Sequence, residues 1–296
     1  MTIGVLVMAY GTAAGPDDIE RYYTDIRGGR PPSPELLEEL RVRYAAIGNR
    51  FPLTEITEAQ AAGVERELGE GLRAFVGMKH SPPFIPETVE KMAADGIDRA
   101  VGIVMAPHYS RMSIGGYVER VEKAEAPIEV DVIESWHTHP AYLEVLADRV
   151  RRALDTLPED PLVVFTAHSL PARIVGEGDP YPDQLRQTAD AIAERLGLAH
   201  HTTGWQSAGR TPEPWLGPPL EELIPEVAKE HAAILVVPCG FVSDHLEILY
   251  DLDVEARGIA EREGIAFART ESLNAEPDFV AALATIVRDR LASWDR

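Results

Sequence analysis

From one end of this chain to the other, short and continuously apolar runs alternate with longer amphipathic stretches, and this restricts its fold more than any other feature. Eight runs read as strands: Ile3–Ala9, Leu72–Met78, Ala100–Ala106, Ile128–Ile133, Leu162–Thr166, His201–Gly204, Ala232–Val237 and Ile265–Ala268. Most are apolar throughout rather than at every second residue, the pattern of parallel strands buried on both faces. The stretches between them carry helix start signals. Ser33-Pro34 supplies a cap and a first-turn proline ahead of Leu36, Leu37, Leu40 and Ile47. Thr57 with Gln60 reads as a capping box. Pro140 opens a helix through Leu143, Leu146 and Val150, and Pro277 opens the last one, through Phe279, Leu283, Val287 and Leu291. Strands alternating with helices predict a parallel, doubly wound α/β fold.

Eight strands make one wide sheet or two sheets of four, and 296 residues suit either one large domain or two of ordinary size. A short internal echo favours two. Val7-Met8-Ala9-Tyr10-Gly11-Thr12 and Phe165-Thr166-Ala167-His168-Ser169-Leu170 both run apolar, Ala, ring residue, small residue, each at the end of the first strand of its half. The expectation is two Rossmann-like domains, residues 1–142 and 143–296, each a four-stranded parallel sheet flanked by helices. The last helix, 277–294, is expected to pack back on the first domain, and Tyr10 and His168 to face each other across a cleft.

Composition excludes several classes of function. A net charge of −21 argues against nucleic acid, which needs a basic surface, and an anionic ligand would have to be held by local arginines. No apolar run approaches the roughly 20 residues of a membrane span. The N-terminus shows no basic segment or cleavage signal, and a single cysteine, Cys239, permits no intrachain disulfide, so a cytoplasmic chain is expected. The segment Gly69-Glu70-Gly71-Leu72-Arg73-Ala74 matches a dinucleotide pattern, but it follows a helix and precedes a strand, the reverse of the required order. No bound nucleotide is expected.

Two segments just past strand ends, where open α/β sheets bind ligands, carry titratable residues. One is Thr166-Ala167-His168-Ser169-Leu170-Pro171. The other is Ser243-Asp244-His245-Leu246-Glu247, leading into Asp251 and Glu255. Positions i, i+4 and i+8 of a helix drift by only about 40° per step, so the three carboxylates share a face, and a π-type turn would align them further. In so acidic a chain such a row has a plain reading as a solvated surface. Against it, the row follows a buried strand directly and lies among Leu246, Ile248, Leu249 and Leu252. An imidazole at the end of a strand, with carboxylates entering an apolar pocket, suits proton removal and handling of a divalent metal. His80 and His108 also lie at strand ends and read as structural; His137, His139, His200, His201 and His231 read as loop or surface residues. Arg27, Arg30, Arg41, Arg43 and Lys79 cluster early and as a group would clamp carboxylates.

These segments also carry a family resemblance. Beside the two above stand Asp18-Ile19-Glu20-Arg21-Tyr22-Tyr23, Gly77-Met78-Lys79-His80, Ala106-Pro107-His108-Tyr109-Ser110, Gly178-Asp179-Pro180-Tyr181-Pro182-Asp183-Gln184, Gly204-Trp205-Gln206-Ser207 and Pro214-Trp215-Leu216-Gly217-Pro218, all in order. Over nearly its whole length the chain resembles the ferrochelatases, and most of all their coproporphyrin branch. The resemblance implies a chelatase-like fold and insertion of Fe2+, a substrate metal, into coproporphyrin III to give coproheme for haem b synthesis. It implies that His168 and Glu247 form the catalytic and metal-binding pair, with Asp251 and Glu255 as the metal-binding row leading away. Tyr10 matches a tyrosine on the opposite face of the macrocycle; Arg27, Arg43, Lys79, Tyr117 and Ser207 match substrate-binding positions, Arg43 near the outer metal site. Gly28 and Phe51 depart from the family's usual arginine and serine, so propionate contacts are expected to differ. Some relatives carry a cysteine-ligated iron–sulfur cluster, which one cysteine cannot hold. The implied partners are the porphyrin, Fe2+ and a downstream coproheme decarboxylase, with the chain acting as a monomer. Rival readings are a protoporphyrin IX ferrochelatase, a cobalt or nickel chelatase of another tetrapyrrole, and a non-catalytic haem or metal carrier. The protoporphyrin branch usually has Leu-Gly-Thr where this chain has Tyr10-Gly11-Thr12, and Met-Arg-Tyr where it has Met78-Lys79-His80.

Overall fold

The side chains of β1 (Ile3–Ala9) divide by parity: Val5, Val7 and Ala9 enter one core cluster, Leu6 and Met8 another. A strand between two helical layers buries both faces, which is why its sequence shows no alternation. The computed structural model of the chain describes residues 2–158, 160–209 and 211–294. All eight predicted strands are present: β1, β2 (Leu72–Met78), β3 (Arg99–Val104), β4 (Glu129–Ile133), β5 (Leu162–His168), β6 (His201–Gln206), β7 (Ala233–Val237) and β8 (Ala266–Arg269). They form two four-stranded parallel sheets, in the orders β2-β1-β3-β4 and β6-β5-β7-β8. The orders coincide when β5 is set on β1, so Tyr10 and His168 stand at the ends of equivalent inner strands.

The helices are α1 (Ile19–Ile26), α2 (Pro34–Ala46), α3 (Leu53–Leu68), α4 (Ile85–Ala94), α5 (Gly115–Glu122), α6 (Pro140–Leu154), α7 (Arg173–Gly176), α8 (Tyr181–Leu196), α9 (Leu220–Val227), α10 (Leu246–Leu249), α11 (Arg257–Glu263) and α12 (Pro277–Ser293). One cluster joins Val5, Val7 and Ile103 of the first sheet to Val163, Phe165 and Leu235 of the second through α6, α8 and α12. The outer face of the first sheet packs on α4 and that of the second on α9 and α11. Helices α1 and α2 make a separate small cluster around Tyr22 and Tyr44, against which Leu246 packs. That lobe therefore rests on the segment that carries Glu247.

Helix α12 lies along α3 and α6. Its last turns reach the first sheet, where Arg290 Nε and Trp294 Nε1 each donate to Asp131 at 2.7 Å. Among the described residues no helix is long and apolar enough to cross a membrane.

Ser33 caps α2 as expected, its hydroxyl accepting from Leu36 N at 3.4 Å. The capping box expected at Thr57 and Gln60 is absent, because α3 begins four residues earlier, at Leu53. Thr57 Oγ1 instead donates to Leu53 O at 2.7 Å. The buried Gln60 amide donates to Ser243 Oγ at 3.0 Å and Asn274 O at 2.7 Å, tying α3 to the second half. A buried amide must find partners wherever tertiary packing supplies them, and local spacing does not name them.

Candidate active site

Strand β5 delivers His168 at its C-terminal end. Its Nδ1 donates to the Ser169 carbonyl, an acceptor only, so Nε2 is the ring nitrogen left for chemistry. Tyr181 holds the backbone there, its hydroxyl donating to His168 O at 3.1 Å. Nε2 stands 3.7 Å from Glu247 Oε1, and the two side chains are 34% and 30% exposed, open enough to be reached by a ligand. Glu247 sits near the start of α10, its carbonyl held by Gln206 Nε2 at 3.3 Å, and Gln206 is itself held by Thr166 Oγ1 at 2.9 Å. The other carboxylate oxygen stands 3.8 Å from His245 Nε2, and His245 Nδ1 donates to Ser243 O at 2.8 Å. Glu247 thus lies between two imidazoles, each turning Nε2 toward it. Burial alone would push its carboxyl up; the His168 imidazole, then His245 and Arg43, hold it down at about 2. Burial pulls His245 down, but the Glu247 carboxylate outweighs this and leaves it above the usual histidine value. His245 had no assigned role in the sequence, although it stands two residues from Glu247.

The acidic row does not run along one regular helix. Glu255 N donates to Tyr250 O, five residues back, at 3.0 Å, within a π-helical turn over Asp251–Ala256. Asp251 is buried and both its oxygens are engaged, one by Arg43 and one by the Ser207 hydroxyl. Ser207 has φ 58°, a left-handed conformation that non-glycine residues seldom adopt outside constrained sites. Burial pushes the Asp251 carboxyl up to about 6, Arg43 opposing and Glu247 adding to the rise. Arg43 crosses from α2, and its guanidinium lies 4.6 Å from the Tyr250 ring centroid. Glu255 stands at the exposed end, so the row leads from Glu247 through a carboxyl that titrates near neutrality toward solvent.

The facing wall comes from the first sheet. Tyr10 follows β1, is 41% exposed, and stands with its ring centroid 4.6 Å from that of His80. Partial removal of its hydroxyl from water raises its phenol above the ordinary value, and the Glu247 charge adds to the rise. His80 bonds Asp25 Oδ1 through Nδ1 at 2.7 Å; burial lowers its pKa to about 4, leaving a neutral ring at pH 7. Gly11 turns the chain out of β1 with φ 95°, and a Cβ there would come within 2.5 Å of Ser81 Oγ, so only glycine suits this corner. Lys79 Nζ donates to Ser113 O at 3.2 Å and stands 4.8 Å from the Tyr117 ring centroid. Burial lowers Lys79 to about 8, and Arg120 adds to the fall.

The basic residues expected to act as one group are separated. Arg43 joins the acidic row and Lys79 lies beside Tyr117. Arg27 stays on the α1 side, its Nε donating to Arg30 O at 3.3 Å. A small recess of about 70 Å3 opens between Tyr23, Leu36, Glu39, Leu40 and Arg43. A larger polar cavity of about 570 Å3 lies elsewhere, between α6 and the segment after β8; its Arg149 and Arg269 are already paired with Asp278 and Asp253. Among the described residues no three His, Cys, Asp or Glu side chains converge as a closed metal site would.

The family model described as Ferrochelatase matches residues 2–291. The coproporphyrin III ferrochelatase of Geobacillus thermodenitrificans is 46% identical over 98% of this chain and 96% of its own length. That of Bacillus subtilis is 45% identical over 98% of both chains, and that of Listeria innocua 43% over 97% of both. Among solved structures, SirB from Bacillus subtilis with Fe3+ superposes with a TM-score of 0.62 over 100% of this chain and 98% of its own, at 12% identity, a likeness of fold alone. With the matched residues spanning both sheets and both walls of the site, the chain belongs to the ferrochelatase family.

Proposed function

We propose that this chain inserts Fe2+ into coproporphyrin III, releasing two protons and giving coproheme for haem b synthesis. The observation that carries the reading is the His168–Glu247 pair, at the end of the strand equivalent to the one that leads into Tyr10. A flat ring between the two walls would present its pyrrole N–H groups to His168 Nε2. Each N–H bond that breaks gives its electron pair to the Fe–N bond that forms, and the proton goes to a base. His168 and Glu247 are the bases and transient ligands, since Fe2+ accepts mixed nitrogen and oxygen donors. Tyr10 touches the other face of the ring. Arg27, Lys79 and Tyr117 serve the substrate's carboxylates, with Arg43 and Ser207 shared with Asp251. On this reading residues 1–142 and 143–296 are the two domains. The chain works as a cytoplasmic monomer without a resident cofactor, and a decarboxylating enzyme consumes its product.

Comparison of kcat/KM for Fe2+ insertion into coproporphyrin III and protoporphyrin IX tests the assignment. Four propionates against two allow at least one more charge-assisted contact, each worth roughly 1.5–3 kcal/mol before screening, so a preference of about tenfold or more for coproporphyrin is expected. Equal rates, or a preference for protoporphyrin, would overturn it.

Two further outcomes bear on individual residues. Lys79, at about 8, is protonated below that pH and neutral above it. Because kcat/KM reports the free enzyme, its value for coproporphyrin III should decline above pH 8. Lys79→Met should lower the plateau and remove that decline; a decline that survives belongs to another group. The second outcome concerns Asp251 and Glu255, which stand too far along the segment to reach the pyrroles. Replacing them together with Asn and Gln should slow insertion more at limiting than at saturating Fe2+. Superimposable curves of rate against Fe2+ for variant and parent would mean that the row carries neither ions nor protons for the reaction.

A further inference from the structure

Asp179, just before α8, is bonded to both halves of the molecule. Its Oδ2 accepts from Ser110 Oγ at 3.0 Å and from Arg111 N at 2.9 Å, in the segment after β3. Its Oδ1 accepts from Tyr181 N, the first residue of α8, at 3.1 Å. From Asp179 the bonds continue to both walls of the site. Tyr181 donates through its hydroxyl to His168 O. On the other side Ser113 N donates to Ser110 O at 3.1 Å, and Ser113 O receives Lys79 Nζ. Hydrogen bonds joined through Ser113, Ser110 and Tyr181 therefore connect Lys79 on one wall to the His168 backbone on the other by way of a single carboxylate.

A carboxylate suits this place for a chemical reason. Three donors converge on it, two from one half and one from the other, and an ionised carboxyl is an acceptor on both oxygens. An amide would turn its NH2 toward one set of donors and lose that side. Gln184 makes a neighbouring tie, its Oε1 accepting from Tyr109 N at 2.6 Å and Ser135 Oγ at 3.1 Å, so the two halves stay joined when Asp179 is altered.

We propose that Asp179 is a positioning residue for metal insertion: acting through Ser110 and Tyr181, it sets the separation of the Lys79–Tyr117 wall from the His168–Glu247 wall. This rests on the reading that a porphyrin lies between those walls. Asp179 touches neither ring nor metal, so its loss should lower turnover more than porphyrin binding.

The test compares Asp179→Asn, Ser110→Ala and the double variant. Binding sites are counted by fluorescence titration with metal-free coproporphyrin III, and kcat for Fe2+ insertion is expressed per titrated site. A merely loosened fold loses sites and not turnover per site. For Asp179→Asn the expected result is a kcat lower by about tenfold, below the roughly hundredfold cost of a 1 Å misplacement, with porphyrin affinity held within about twofold. Because both changes break the same tie, the double variant should be no slower than Asp179→Asn alone. A per-site kcat within about twofold of the parent, or effects of the two singles that multiply in the double, would overturn the proposal. Should Asp179→Asn not fold, Ser110→Ala leaves the bond to Tyr181 N in place and decides alone: a fall of about threefold or more supports the tie, and an unchanged rate removes it. A parent chain that fails to insert Fe2+ sinks the functional reading instead, before any variant is compared.

Discussion

His168→Ala is expected to lose about three orders of magnitude in Fe2+ insertion, within the range that a positioned proton acceptor contributes. Among the described side chains, His168 presents an unblocked ring nitrogen at the end of β5, because Nδ1 is committed to the Ser169 carbonyl. Alanine leaves Glu247 with His245 as its one neighbouring imidazole among the described residues, and His245 stands by the other carboxylate oxygen. Porphyrin affinity should change little, since burial of a flat apolar ring supplies most of it at about 25 cal/mol per Å2. Added imidazole should restore part of the rate by occupying the emptied space. The check is absorbance-monitored turnover beside fluorescence-monitored binding. A variant within about tenfold of the parent would show that His168 is neither the acceptor nor the ligand.

Glu247→Gln should cost about a hundredfold in turnover while keeping the shape of the site, because it removes the anion that faces both imidazoles. The variant carries an independent sign. His245 stands above its usual value through the Glu247 carboxylate, against burial, so its titration, followed by NMR, should move down when the charge is gone. The parent has a second signature in acid. Its Glu247 carboxyl is depressed from 4.5 to about 2, so this group stabilises the fold above pH 4.5, and that contribution is lost as pH falls toward 2. The glutamine variant lacks the contribution at every pH, so its stability should fall less steeply than the parent's over that window. A His245 titration unmoved by the substitution would mean that the carboxylate is not what lifts it.

How much of this was legible in the linear chain follows from the range of each interaction. Most of the eight strands could be read from apolar runs, because a strand between two helical layers must be apolar on both faces, and that is a local property. The echo between the segments ending in Tyr10 and His168 reflects two sheets of the same strand order, which is again a property of short segments. His168 and Glu247 stand out in the sequence because each comes after a buried strand, and the spacing of the carboxylates suggests the π-helical turn at Asp251. The roles assigned to Thr57 and Gln60 failed because a polar spacing that caps one helix can equally serve bonds across the molecule. His245 was overlooked because nothing local states which way a ring nitrogen points. Arg43 and Asp251 are 208 residues apart, and Ser110 and Asp179 are 69 apart. Periodicity fixes neither pairing; packing of the α1–α2 lobe on the second half and of the β3 loop on α8 brings the groups within reach. The same packing sets the charges of the site. Desolvation moves Asp251 up to about 6 and Lys79 down to about 8, while facing positive charge holds Glu247 down at about 2 against desolvation, and both causes come into being only when distant segments exclude water together.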